Sequence, residues 1–432
     1  MDATVYFKDR FEKTKTNNGT LSSFRQSNWE TFIALGLPNA KHEEWKYTKI
    51  KKLFKDNLLY DAFNSTDDIE PNTFKLAGMD NANIVVFVNG FFQEKLSSFT
   101  DSKNILTIEP LEIASSNENK TFVETHLGCS QPYHHDGINA LNASFAQGGV
   151  FIKVEKGAIL TQPIVIYHIT DSRSGFRFSQ PRILVNIESA AEATLIETYY
   201  KLGENESLTN EVNEICVEKD ARFHYIKLQQ EGKGANHTGT TQIQQLGSAY
   251  THSVTITLDG AVVRNNLNMI MKAEHGESHL YGLYLLEGDT QADNHTIVDN
   301  AMPNCYSNEL YKGIMDGKSS GIFNGKIFVR KDAQKTNAYQ SNKNILIGEQ
   351  SSANTKPQLE IFADDVKCSH GCTIGKLDED ALFYLRARGI SKKNAQAMLL
   401  HAFALDVLEQ LKIEPLKHHV DEMISKRLAF NI

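Results

Sequence analysis

The spacing of hydrophobic positions along this chain changes twice. Up to about residue 75, Trp29, Phe32 and Ile33 recur at helical intervals and stop at Gly36-Leu37-Pro38, a left-handed break followed by a residue that cannot continue a helix. Ile84 to Val88 then forms a continuous apolar run, followed by the turn pair Asn89-Gly90 and by Phe91-Phe92, which predicts a buried strand, a tight turn and a second strand. From about residue 140 to 375 the texture becomes short β-rich segments ended by charged or glycine corners. Val150 to Val154 precedes Glu155-Lys156-Gly157, Ile183 to Ile187 precedes Glu188-Ser189-Ala190, and Leu359 to Phe362 precedes Ala363-Asp364-Asp365. These segments recur at about 14 to 18 residues or roughly twice that, an irregular period with a constant grammar that predicts a β-solenoid.

A β-sandwich or barrel also has short, turn-bounded strands. The solenoid is favoured because more than 200 residues pass without a helical pattern, and Asn-Gly or Asp-Gly hairpin turns are sparse for so many strands.

After residue 375 helical spacing returns. Asp378 is placed to cap a helix that carries Glu379 and Asp380 in its first turn, Arg386 and Arg388 in its last, and Gly389 as its stop. Ser391 opens a second helix whose stripe reads Ala395, Met398, Leu399, Ala402, Phe403 and Asp406. After Pro415, a third stripe runs through Leu416, Val420, Met423, Ile424 and Leu428. The expected organisation is a helical region 1–75, a connecting α/β segment 76–139, a β-solenoid core 140–375 and a helical subdomain 376–432.

Composition narrows the function. Apolar residues make up 41% and charged residues 23%, ordinary globular values, and the 432 residues suffice for a large core. With 45 basic against 53 acidic residues and no long Lys/Arg run, nucleic acid is not an expected partner. The opening MDATVYFKDRFEKTK lacks the pattern of a signal peptide, and nowhere are about 18 consecutive apolar residues found, so no membrane span is expected. Cys129, Cys216, Cys305, Cys368 and Cys372 are odd in number and scattered, which fits a reducing cytoplasm better than a disulfide framework.

Several motifs invite chemistry. Gly313 to Ser319 imitates a phosphate-binding loop, but its glycine spacing is one residue short, no helical pattern follows, and Asp316 would repel phosphate; its glycines read as solenoid corners. His275, His279 and His295 lie among polar residues, but Gly276 and Gly282 disfavour the helix that would let two of them share a metal, so they read as polar side chains along a solenoid face. The neighbours His134-His135-Asp136 and His418-His419 point to different sides of any regular element and read as surface features. Clustered corner acids admit a second reading, a β-helix enzyme acting on polysaccharide, which the absent signal peptide and unpaired cysteines oppose. The most specific constellation is Lys367-Cys368-Ser369-His370-Gly371-Cys372. On an extended strand Cys368 and His370 project from the same face, a thiol beside an imidazole. That is half of a four-ligand site, and no second Cys/His pair of metal-binding spacing completes it; the alternatives are a buried cysteine with a hydrogen-bonded histidine, or a site finished by another chain.

At these residues the sequence resembles a known family. The stretch from Asn294 to Gly371, which ends in QLEIFADDVKCSHG, is similar to the shared core of the SufB/SufD family of iron-sulfur cluster assembly proteins. LDEDALFYLRARGISKKNAQAMLLHAFALDVL resembles that family's C-terminal helices, while GLPNAKHEEWKYTKI and VVFVNGFFQEKLS resemble the leader region of its SufD branch. The SufB branch is the nearer alternative, but it carries a mid-chain Gly-rich cysteine segment before a Trp-containing strand. Here the only tryptophans are Trp29 and Trp45, and Cys216 sits in NEICVEKD. The resemblance implies a right-handed parallel β-helix with helical flanks, a non-catalytic scaffold role, and assembly with SufB and two copies of the ATPase SufC, with homodimers possible in isolation. It also implies a transient cluster at the SufB interface to which His370 contributes, with Cys368 beside it, and a reduced flavin in the complex as a further possibility. SufC contact is expected through Arg388, Met398, Leu399, Ala402 and Phe403 on the C-terminal helices. The family usually has a small residue where Cys372 stands, so no ligand role passes to Cys372.

Overall fold

Short strands joined by tight corners close into a coil only if successive strands alternate between two sheets. The computed structural model shows this arrangement; it describes residues 3–14, 19–39, 41–60, 69, 74–134 and 136–428, and His135 lies outside the described residues. A first 10-stranded sheet begins with the hairpin Asn83–Val88 and Phe91–Phe92, continues through strands such as Ile164–Asp171, Glu192–Leu202, Arg222–Gln229, Glu277–Leu286 and Asn337–Leu346, and ends at Lys367–Gly375. A second 10-stranded sheet begins at Leu106–Pro110, continues through Val150–Val154, Ser207–Val217, Ala235–Gln245 and Val262–Met271, and ends at Ser352–Ile361. Apart from two antiparallel pairings near the N-terminal end, the ladders are parallel. The result is a β-solenoid of about eight turns between residues 150 and 375, flanked by helices on both sides in sequence.

Alternation along each strand sorts the side chains. In Val262–Met271, Leu267, Met269 and Met271 join the core between the sheets, while Arg264, Asn266 and Asn268 take the opposite parity. Both outer faces are covered over most of the length, which is why strands such as Ser207–Val217 are buried at every position. On the first sheet Val254, Ile256, Leu283, Leu285 and Ile314 meet Leu400, Ala404, Val407, Leu416, Val420 and Ile424 of the C-terminal helices. On the second sheet the segment around Trp45 is clamped. Its indole Nε1 donates to Asp136 at 2.9 Å, the Arg264 guanidinium lies 3.9 Å from its ring centre, and Arg264 also donates to Glu44 O and to Asp293. Burial alone would push the Asp293 carboxyl up, but His295 and Arg264 outweigh it and hold the group well below the usual carboxylate range.

Several helical expectations are met at their ends. Asp378 accepts from Asp380 N and Ala381 N ahead of the helix Glu379–Ala387, Ser391 accepts from Asn394 N ahead of Lys392–Leu408, and Gly389 has φ of 88°. Other expectations need correction. Ile33 is exposed, because the helix Ser22–Leu35 buries Arg25, Asn28, Trp29 and Phe32 instead. In Lys392–Leu408 the buried residues are Ala395, Ala397, Leu400, Ala404, Val407 and Leu408, so the stripe is rotated from Met398, Leu399 and Phe403, which are half-buried, and Ala402 is exposed. Asp136 is no surface residue: it is buried, caps the helix Gly137–Ser144 and holds Trp45. Of the glycines in the false phosphate loop, Gly317 is a corner with φ of 66°, but Gly313 lies inside the strand Tyr306–Met315.

Gly313 is there because a neighbouring ring leaves no room for a side chain. A Cβ at this position would sit 2.2 Å from Tyr284 Cε2 and 2.5 Å from Asn344 Oδ1. Gly313→Ala should therefore cost about 1–3 kcal/mol through overpacking. Gly375→Ala, with open space around it, should be close to neutral. Denaturant unfolding of the two variants checks this, and equal stability would show that the ring moves aside freely.

Candidate functional site at the open end of the solenoid

Each internal strand is hydrogen-bonded on both sides, but Lys367–Gly375 and Ser352–Ile361 stand at the ends of their sheets. The C-terminal helices pack on the outer face of the first sheet and do not cap these two strands. Lys367–Gly375 is exposed along nearly its whole length, with only Cys368 half-buried. Large apolar residues nearby are also exposed: Ile361, Phe362 at 58% and Ile374.

Register fixes where the candidate residues stand. Cys368 pairs with Ala338, His370 with Gln340 and Cys372 with Asn342. Ala338 belongs to the core between the sheets, and Cys368 packs against that core, so the Cys368, His370 and Cys372 positions continue the interior face onto the open end. His370 and Cys372 are exposed. Burial pushes the Cys368 thiol up, a shift that the backbone of Ala338 only partly offsets. Among the described residues, these side chains do not come together as a compact three-ligand group; the one such group is His168, Glu197 and Glu211, deep inside the coil. The open end therefore presents an imidazole and two thiols on an edge strand, an incomplete ligand set.

Behind His370 the interior stays polar. Gln340 Nε2 donates to Glu309 Oε2 at 2.6 Å, and Glu309, fully buried, is pushed up to about 7, mainly by desolvation. The chain's other histidines are placed differently. His279 accompanies Glu277 at 2.8 Å and stacks among Tyr250, Tyr281 and Tyr306, whereas His295 is tied to Asp293 and Glu44. His275 sits at a corner with φ of 61°.

The expected partner-contact residues occupy the C-terminal helices. Glu379–Ala387 has no buried residue and exposes Phe383 at 74% and Tyr384 at 57%, with the Arg388 guanidinium 4.4 Å from the Tyr384 ring centre. Phe403 is less available, since Lys312 Nζ lies 4.5 Å from its ring centre and also donates to its carbonyl. Phe383 and Tyr384 were not singled out in the sequence, where only the caps and charges of their helix were read.

Comparison with known proteins places this geometry in a family. The SufBD core domain of the SUF iron-sulfur cluster assembly system matches residues 168–403, and the SufBD N-terminal region matches residues 4–166. Over 406 residues the chain is 30% identical to the iron-sulfur cluster assembly protein SufD of Escherichia coli, covering 93% of this chain and 92% of that one. It is 28% identical over 428 residues to an iron-sulfur cluster assembly SufBD family protein of Synechocystis, covering 97% and 94%, and 23% identical over 403 residues to SufD of Bacillus subtilis, covering 90% and 89%. The chain belongs to the SufBD family of iron-sulfur cluster assembly proteins. That membership displaces the polysaccharide-cleaving alternative. No helix among the described residues is long and apolar enough to cross a membrane.

The burial differences set an order of thiol reactivity. In the native chain Cys372 should be alkylated first and Cys368 more slowly, because it is half-buried and its thiolate is disfavoured; Cys216 and Cys305 should react only after unfolding. Mass spectrometry of a maleimide time course checks the order, and labelling of Cys216 as fast as Cys372 would contradict the burial.

Proposed function

We propose that this chain is a SufD-type scaffold subunit acting in the cytoplasm, which pairs with SufB through the open end of the solenoid and binds the ATPase SufC through its C-terminal helices. The observation that carries this reading is the incomplete ligand set at His370 on an edge strand. A parallel solenoid whose last strands have unsatisfied backbone groups is suited to accept another strand, and pairing would bring a partner's ligands to His370. The cluster built there is cargo shared between the chains, with His370 as the main contribution of this one and Cys368 as a neighbouring thiol. In isolation the same edge suits pairing of two copies. A reduced flavin, in this reading, belongs to the assembled complex.

The SufC surface is assigned to Arg388, Met398, Leu399, Ala402 and the accessible edge of Phe403, extended by Phe383 and Tyr384. Removing the helices altogether would uncover Val254, Ile256 and Leu283, so single exposed residues make the better probe. The proposed division is 1–75, 76–139, 140–375 and 376–432, with the third unit carrying the cluster edge and the fourth the ATPase contact.

Co-expression with SufB and SufC tests both halves. His370→Ala should leave the complex assembled while cluster content after anaerobic iron and sulfide reconstitution falls at least tenfold; Cys368→Ala should have a smaller effect. Phe383→Asp should prevent SufC capture without lowering the unfolding midpoint. A stoichiometric cluster on this chain alone, lost on Cys368→Ala, would overturn the shared-site reading, and unchanged SufC capture by Phe383→Asp would overturn the helix assignment.

A further inference from the structure

Away from the open end, the interior of the coil holds a cluster of ionisable side chains that cluster assembly at His370 does not use. Ile164–Asp171 contributes His168, Glu192–Leu202 contributes Glu197, Ser207–Val217 contributes Glu211, and Ala235–Gln245 contributes His237. All four are buried, with Glu197 and Glu211 wholly so. His168 Nε2 lies 3.0 Å from Glu197 Oε1 and 3.6 Å from Glu211 Oε1, and the three ligand atoms lie within 4.8 Å of one another. Ligands of one tetrahedral ion, each about 2.0–2.1 Å from the metal, stand roughly 3.3 Å apart, and the two His168 distances lie on either side of that value.

Two independent observations separate this group from an ordinary buried ion pair. The first is His237, whose ring nitrogens are both buried and make no hydrogen bond: Nε2 is 3.5 Å from Glu211 Oε2 and Nδ1 is 3.6 Å from Glu231 Oε1. Gly239 gives these groups room, since a Cβ there would lie 2.6 Å from Lys227 Nζ, 2.7 Å from His237 Nε2 and 2.9 Å from Glu211 Oε2. The second is charge. Glu197, Glu211 and Glu231 meet one buried ammonium, Lys227, which holds Glu211 Oε2 at 2.5 Å. The carboxylates outnumber the one ammonium, and an uncompensated buried negative charge is costly unless a proton or a cation offsets it.

Both carboxylates are oriented by neighbours, Glu211 Oε1 itself included. Glu197 Oε2 accepts from Tyr225 and from Asn213, and Glu211 Oε1 accepts from Tyr199 and Asn213. This arrangement turns Glu197 Oε1 toward His168 and fixes both carboxylates, as supporting hydrogen bonds do around metal ligands. We propose that the interior of this solenoid binds one divalent first-row transition metal ion through His168, Glu197 and Glu211, with His237 beside it. The imidazole and carboxylate donors suit iron(II) or zinc(II) and lack the thiolate that a soft-metal or cluster site would use. The site is separate from His370, so it stands or falls independently of the interfacial reading.

The test uses the full chain expressed in medium supplemented with Zn2+ and desalted after purification. Metal analysis should find about one equivalent of zinc. A Glu197→Gln, Glu211→Gln double variant should retain less than a tenth of that amount, and a Cys368→Ala, His370→Ala double variant should retain all of it. Zinc absent from the wild-type protein, or equal in the interior variant, overturns the proposal. Should the interior variant fail to fold, the wild-type protein is loaded instead with Co2+ during expression. Ligand-field bands without sulfur charge-transfer absorption, unaffected by alkylating the exposed thiols, support the interior site. A thiolate band, or no bound cobalt, overturns it.

Discussion

A parallel β-ladder satisfies its backbone only while another strand follows, and in this chain the sequence of strands stops before anything covers the last two. Every structural feature of the candidate site descends from that constraint. Lys367–Gly375 and Ser352–Ile361 each keep one free edge, and the helices that follow turn back along the outer face of the first sheet. Natural proteins usually blunt such edges with charge, bulges or a covering helix. Here the edge instead carries Cys368, His370 and Cys372, with exposed Phe362 and Ile374 nearby, the surface proposed to accept a strand from another molecule.

The rest of the fold holds that edge in place. The core between the sheets runs from Val85 to Ala338 and takes in Cys368 at its margin, so the end strand is positioned by the same packing that stabilises the coil. Arg264, Trp45, Asp136 and Asp293 lock the leader segment onto the second sheet, while the C-terminal helices cover the first. Their apolar packing partners are spent on the sheet, while Phe383 and Tyr384 on the helix Glu379–Ala387 stay exposed.

The solenoid grammar was legible because corners such as Glu155-Lys156-Gly157 and strands such as Val150–Val154 repeat in one order, and the helix ends were legible because Asp378, Ser391 and Gly389 each meet a specific backbone need. The phase of Lys392–Leu408 was not. Met, Leu, Ala and Phe occupy nearly all sides of that helix, so periodicity alone did not choose between Met398 and Leu400 as the buried row. Interior polar residues were equally hidden, since only parallel register places Glu197 and Glu211 inside with Leu195 and Ile215. Gly313 looked like a corner because the ring that requires a glycine there, Tyr284, is far away in sequence. The Cys368 and His370 positions were legible from strand alternation, but the free edge that gives them meaning exists only in the assembled sheet.

Hydrogen exchange on the isolated chain and on its mixture with SufB measures that edge directly. The amides of Lys367–Gly375 and Ser352–Ile361 that face away from the neighbouring strand should exchange rapidly in the isolated chain and become strongly protected when SufB is added, because the free edges gain hydrogen-bonding partners. If SufB binds and these amides exchange as before, the open end is not the pairing surface and the shared-site account is wrong.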